Sequence, residues 1–113
     1  MATTESPLPS AAIHILIAIG PDARHGYAIM TEVASLTEGA VRLAPGTLYT
    51  NIKRLLAAGL IEEVDPRQAS DSDDPRRRYY RLTTVGRGVV ADEVNRMAGL
   101  VSHARTWVGE RSG

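Results

Sequence analysis

The chain has 113 residues and zero formal net charge, from 13 basic and 13 acidic side chains; 43% of it is hydrophobic. That is the make-up of one globular domain with little core to spare. It has no cysteine, which excludes disulfides and thiolate metal sites. No apolar run approaches the ~20 residues of a membrane span, and the N-terminus lacks a basic-then-apolar leader, so a cytoplasmic protein with no membrane partner is expected.

Residues 1–7 are small and polar and are expected to form a flexible tail. From Leu8 to Ile19, apolar residues surround a predicted first helix on nearly every side. A surface helix would show a single stripe, so this one is expected to be covered on two sides. A second subunit would supply the extra cover, which makes Ile13 and Ile17 candidate interface residues. Gly20-Pro21 stops the helix. His25-Gly26-Tyr27 opens a second helix running to about Leu36, with Ile29, Val33 and Leu36 on its apolar stripe. Val41-Arg42-Leu43 reads as a brief strand.

A third helix is predicted over 45–58. Pro45 suits a first helical turn and Gly59 a left-handed C-terminal cap. Leu48, Ile52, Leu55 and Leu56 share one stripe, while Thr47, Thr50, Lys53 and Arg54 lie opposite. No acidic residue occurs between Gly39 and Ile61, and Lys53 is the sole lysine. Hydroxyls near a helix N-terminus can bond phosphate oxygens, and Lys53 or Arg54 can reach guanine edges in a major groove. Tyr49 sits between the faces, where a phosphate contact and a core-edge role are both open. Double-stranded DNA is the leading partner for such a surface.

Two β-like runs follow, Leu60 to Val64 and Arg78 to Leu82, joined by a polar loop from Asp65 to Arg77. Arg76, Arg77 and Arg78 open the returning strand. Alternation puts Arg76 and Arg78 on one face and Arg77 on the other, so one or two are expected to meet DNA while the rest pair with Asp71, Asp73 or Asp74. Thr83 can cap a last helix running to about Glu110. Its residues Val90, Val94, Met97, Val101, Ala104 and Val108 are spaced 4, 3, 4, 3, 4. That is a heptad seam about 27 Å long at ~1.5 Å per residue. So long a helix has little of its own domain to pack on, and homodimerisation is the expected consequence. The order of elements is mainly α with a small β-hairpin, an α+β winged helix-turn-helix. It divides into the tail, a DNA-binding unit over 8–83 and a dimerisation helix over 84–113.

His25 does not read as a catalytic or metal residue. Glu32, His14 and His103 have no convincing ligand spacing with it, and a structural hydrogen bond at the helix start is the simpler role. Tyr27 and Tyr80 read as core or interface aromatics. With no nucleophile elbow, phosphate-cradling loop or carboxylate pair, neither catalysis, a metal nor a cofactor is expected.

Five blocks then stand in order: His25-Gly26-Tyr27, Leu43-Ala44-Pro45-Gly46-Thr47-Leu48-Tyr49, Lys53-Arg54-Leu55, Gly59-Leu60-Ile61 and Arg77 through Gly86. Together they resemble the PadR family of bacterial transcriptional regulators, over about Ile13 to Leu100. The resemblance implies a repressor, dimeric through its last helix, that releases a two-fold operator when an effector binds. Many members answer to small aromatics and some to stress signals. A single C-terminal helix places this chain with the short subgroup. Drug-binding short members stack planar ligands on a tryptophan early in that helix. The equivalent position here is Met97, which with Leu100 marks the implied effector pocket. The competing readings are a winged-helix protein-interaction module without DNA binding and a protein whose main role is binding a ligand at the dimer interface.

Overall fold

The computed structural model describes residues 10–65 and 77–109. The N-terminal tail, most of the loop after Asp65 (with Asp71, Asp73, Asp74 and Arg76) and Glu110 lie outside them. The elements run α1 (Ser10–Ile19), β1 (Arg24–His25), α2 (Gly26–Leu36), α3 (Pro45–Ala57), β2 (Ile61–Val64), β3 (Tyr79–Leu82) and α4 (Thr84–Val108). The strands form an antiparallel sheet in the order β1-β3-β2, with Glu62 opposite Arg81 and Val64 opposite Tyr79.

The expected third strand at 41–43 is absent, and its place in the sheet is taken by Arg24 and His25 against Tyr80 and Tyr79. The physical reason is local. The Val41 N–H donates to Thr37 Oγ1 at 3.0 Å, tying this segment to the end of α2, while Val41 and Leu43 pack on the core without a ladder. His25 is the N-cap of α2, outside the helix it was expected to begin.

α1 is the central element. Ala12, Ile13, Ile15, Leu16, Ala18 and Ile19 are all buried, and the helix contacts α2, α3, α4 and β3. Its near-uniform apolarity is thus satisfied largely by its own chain. Ile13 is 6% exposed already, whereas Ile17 is left 40% exposed. From α2, Ile29 and Val33 enter the core, but Leu36, at the end of the expected stripe, is exposed.

α3 ends as its glycine predicts. Gly59 has φ 76°, its N–H donates to Leu56 O and the Leu60 N–H donates to Leu55 O, both at 3.0 Å. This is a Schellman cap, which turns the chain directly into β2. The start of α4 is fastened to the same turn. Thr83 Oγ1 accepts from the Gly86 N–H at 2.9 Å and donates to Gly59 O at 2.7 Å, and the Thr83 N–H donates to Leu60 O at 3.1 Å. Beyond that anchor Val89 and Val90 still pack on the core and Arg87 donates to Pro21 O at 3.0 Å, but only Gly86 and Glu93 are buried along α4, and no residue after Glu93 is.

Candidate nucleic-acid interface

α3 supplies the site's main face. Leu48, Ile52 and Leu55 are buried, and Thr47, Tyr49, Thr50, Lys53 and Arg54 are all exposed on the outside. This division follows from the 100° step per residue. The N-cap, Ala44, has no side-chain acceptor, and no carboxylate lies in the first turn. The first N–H groups therefore keep their positive partial charge at the surface. Among the described residues no carboxylate pairs with Lys53 or Arg54.

Between α3, the start of α2 and the β2–β3 hairpin lies a cleft of about 650 Å³. Tyr49 and Lys53 line it from α3, Arg77 and Arg78 from the hairpin, and Gly26 and Tyr27 from α2. Four of the expected site residues thus share one concavity. Thr47, Thr50 and Arg54 stand on the exposed face of α3 outside it, and Arg76 is beyond the described residues.

The two described wing arginines precede β3, so the alternation expected of them does not apply: both line the cleft, yet each meets a different neighbour. Arg77 Nη1 lies 2.8 Å from His25 Nε2. The other ring nitrogen, Nδ1, accepts the Ala28 N–H at 3.2 Å, which is the structural cap expected of His25. Tyr79 stacks edge-on against that ring with centroids 5.4 Å apart. Arg78 meets Glu63 at 3.4 Å and Arg81 meets Glu62 at 2.7 Å. The aspartates expected as arginine partners lie outside the described residues; the described partners are the two glutamates of β2. Pairing Glu62-Glu63 with the Arg78–Arg81 run across a hairpin would have exposed this from the sequence.

Tyr80 and Tyr27 part company. Tyr80 is buried, and burial, then the Glu63 charge, push its phenol above the ordinary tyrosine value, so it remains a neutral donor near the floor of the cleft. Tyr27 is 66% exposed at the cleft's rim rather than in the core. Its place in the first turn of α2, ahead of the Ile29–Val33 stripe, was the available signal.

Along α4, Val90, Met97 and Ala104 are half-buried, while Val94, Leu100, Val101, Trp107 and Val108 are exposed. A hollow of about 430 Å³ lies beside Ile17, Val90 and Val94. Met97 and Leu100 are not part of its lining. Among the described residues no cluster of His, Asp or Glu could hold a metal, and no helix is long and apolar enough to cross a membrane.

An exposed basic helix beside an arginine-bearing hairpin, in a four-helix frame with a small three-stranded sheet, defines the winged-helix class of regulators. The model of the PadR-like family of transcriptional regulators matches residues 15–92, and the chain belongs to that family. A PadR family transcription regulator from Clostridium difficile R20291 superposes with a TM-score of 0.66 at 26% identity, over 86% of this chain and 98% of that one. RosR from H. salinarum gives 0.62 at 26%, over 92% and 81%. PcaV from Streptomyces coelicolor, 22% identical, shares the fold with a TM-score of 0.68 over 90% of this chain and 64% of its own. An uncharacterised protein of Lysinibacillus sphaericus is 31% identical over 75 residues. The matched part is 66% of either chain, just under two thirds of that relative's length.

Proposed function

We propose that the chain is a homodimeric, sequence-specific DNA-binding repressor, with α3 in the major groove and the β2–β3 hairpin as a wing on the flanking backbone. The observation that carries this reading is the acid-free outer face of α3, whose Lys53 and Arg54 have no described carboxylate partner. Thr47 and Thr50 would bond phosphates, Lys53 and Arg54 would reach base edges, and Tyr49, Arg77 and Arg78 would grip the backbone that crosses the cleft. Arg76 is placed with them on the sequence pattern alone.

The apolar stripe of α4 supports the homodimer. Val94, Val101 and Val108 expose 41%, 49% and 56% of their surface along α4. Such a stripe is unusual on a monomer and is satisfied by a second copy across a two-fold axis. Ile17, Val90, Met97 and Ala104 would join it, with Ile13 contributing only from beneath. Division into a DNA-binding unit over 8–83 and a dimerisation helix over 84–113 follows. A small aromatic effector is the trigger that family membership favours. In one chain the hollow nearest the seam lies at Ile17, Val90 and Val94, about one turn before Met97; closure around Met97 and Leu100 would require the partner.

The test is fluorescence anisotropy on duplex DNA from upstream of the chain's own gene, against scrambled competitor at two salt concentrations. Specific binding that weakens steeply with salt is expected. Lys53→Ala/Arg54→Ala should abolish the preference for the specific duplex, with the dimer intact. Binding of a partner protein that ignores this double variant would instead establish the interaction-module reading.

A further inference from the structure

We propose that Gly26 and Tyr49 form a steric pin that sets the position of α3 against the start of α2 and the wing, making Gly26 a positioning residue for DNA recognition. The inference rests on the proposed function. Gly26 is buried at the first position of α2, and its φ is not in the left-handed region. Backbone conformation therefore does not call for glycine there. Space does. A Cβ on residue 26 would stand 2.3 Å from Tyr49 Oη, 2.9 Å from Cζ and 3.2 Å from Cε1. The edge of the Tyr49 ring occupies the volume that any other residue's side chain would claim.

Three functional elements meet at this point. Tyr49 projects from α3, one turn before Lys53. Gly26 belongs to α2, and its neighbour His25 packs against the wing, with Nε2 2.8 Å from Arg77 Nη1. A displacement at residue 26 therefore reaches both surfaces that would touch DNA. Tyr49 is 47% exposed and lines the cleft, so a ring pushed off Gly26 has room to swing into the cleft. There it would crowd Lys53 and the backbone path. The atoms a Cβ would strike belong to the end of a rotatable side chain, so the fold survives the substitution while the pin does not.

The test is a double-mutant cycle with two readouts. Gly26→Ala should lower specific DNA affinity at least tenfold, with dimerisation unchanged. In a Tyr49→Ala background the same substitution should change affinity less than twofold, because no ring remains to displace. Tyr49→Phe removes only the closest-lying atom and should recover part of the affinity. In parallel, NMR of the DNA-free protein should show the Tyr49 ring resonances and the α3 amides moving in Gly26→Ala, with the α3 shift absent in the Tyr49→Ala background. An equal affinity loss in both backgrounds, a Gly26→Ala protein that binds as well as wild type, or unmoved Tyr49 resonances would each overturn the pin. Should the wild-type chain prefer no duplex, the proposed function fails while the NMR comparison still decides the pin.

Discussion

Gly86 and Gly88 lie two residues apart in α4, and the structure gives them opposite fates on substitution by alanine. In a helix interior glycine is less favourable than alanine by about 1 kcal/mol, so both changes would stabilise if space allowed. At Gly88 nothing lies within 4 Å of the position a Cβ would take. Gly88→Ala is therefore expected to stabilise by about 1 kcal/mol. At Gly86 a Cβ would stand 1.9 Å from Leu60 O, a backbone atom that cannot rotate away. Since real contacts of this kind do not fall below 3.0 Å, the start of α4 must retreat by more than 1 Å. Overpacking of this sort costs about 1–3 kcal/mol. The retreat also strains the Thr83 cap, worth about 1 kcal/mol, and the bond from the Thr83 N–H to Leu60 O, worth about 1 kcal/mol. Set against the propensity gain, the net expectation is a loss of about 3 kcal/mol. Urea unfolding at one fixed protein concentration measures it, because any dimer makes the midpoint concentration-dependent. With a slope of about 1.5 kcal/mol per M, Gly86→Ala should lower the midpoint by roughly 2 M and Gly88→Ala should raise it. A Gly86→Ala protein as stable as wild type, or two variants shifted alike, would refute the packing argument.

Two further substitutions probe the ends of helices and the α4 stripe. Glu38 has φ 52°, a left-handed conformation in which Gly39 follows it at 82°, and it places a carboxylate at the C-terminus of α2. Glu38→Gly should therefore raise stability by about 1 kcal/mol, read as a higher thermal midpoint. Val101→Asp adds a charge where the single chain leaves 49% of the side chain exposed, so the protomer should fold normally. On the proposed homodimer it buries that charge, and sedimentation should show one chain where wild type shows two; an unchanged dimer would put the interface elsewhere.

The parts of the fold legible in the sequence were those written locally. α3 announces itself through Pro45, Gly59 and an apolar stripe of fixed period, and α4 through Thr83 and its heptad spacing. β1 was not legible. Two residues, Arg24 and His25, carry no alternation to detect, and they become a strand only because Tyr79 and Tyr80 lie alongside. Val41-Arg42-Leu43 shows the converse: a fair strand pattern captured instead by Thr37 and the core. In the site, the outer face of α3 was readable because helical periodicity alone decides it. The reason for glycine at 26 was not, because it lies 23 residues away in the ring of Tyr49. Leu36 was misplaced for a related reason. A leucine at the end of a short helix follows its stripe only if another element extends far enough to cover it.

Charge in the wing was only half visible for the same reason, and it bears on how the cleft would meet phosphate. Arg78 and Glu63 sit 3.4 Å apart with 73% and 44% of their side chains exposed. An exposed pair of this kind is worth about 0–1 kcal/mol, so Arg78 can exchange the carboxylate for a phosphate at little cost. What does not exchange is the Glu63 charge itself, which lines the cleft beside Lys53 and would repel the backbone there. Glu63→Gln removes that charge and nearly preserves shape. On the proposed function it should strengthen DNA binding up to about fivefold at low salt, the equivalent of the pair's ~1 kcal/mol. Because the contact is electrostatic and solvent-exposed, the gain should shrink as the Debye length falls from ~10 Å at 0.1 M salt. It should also appear equally on scrambled DNA, since phosphate carries no sequence. Anisotropy titrations on both duplexes across a salt series decide the matter. Weaker binding in Glu63→Gln would mean that the carboxylate is needed to hold Arg78 in place, and that the wing meets DNA through a preset geometry and not through exchange of partners.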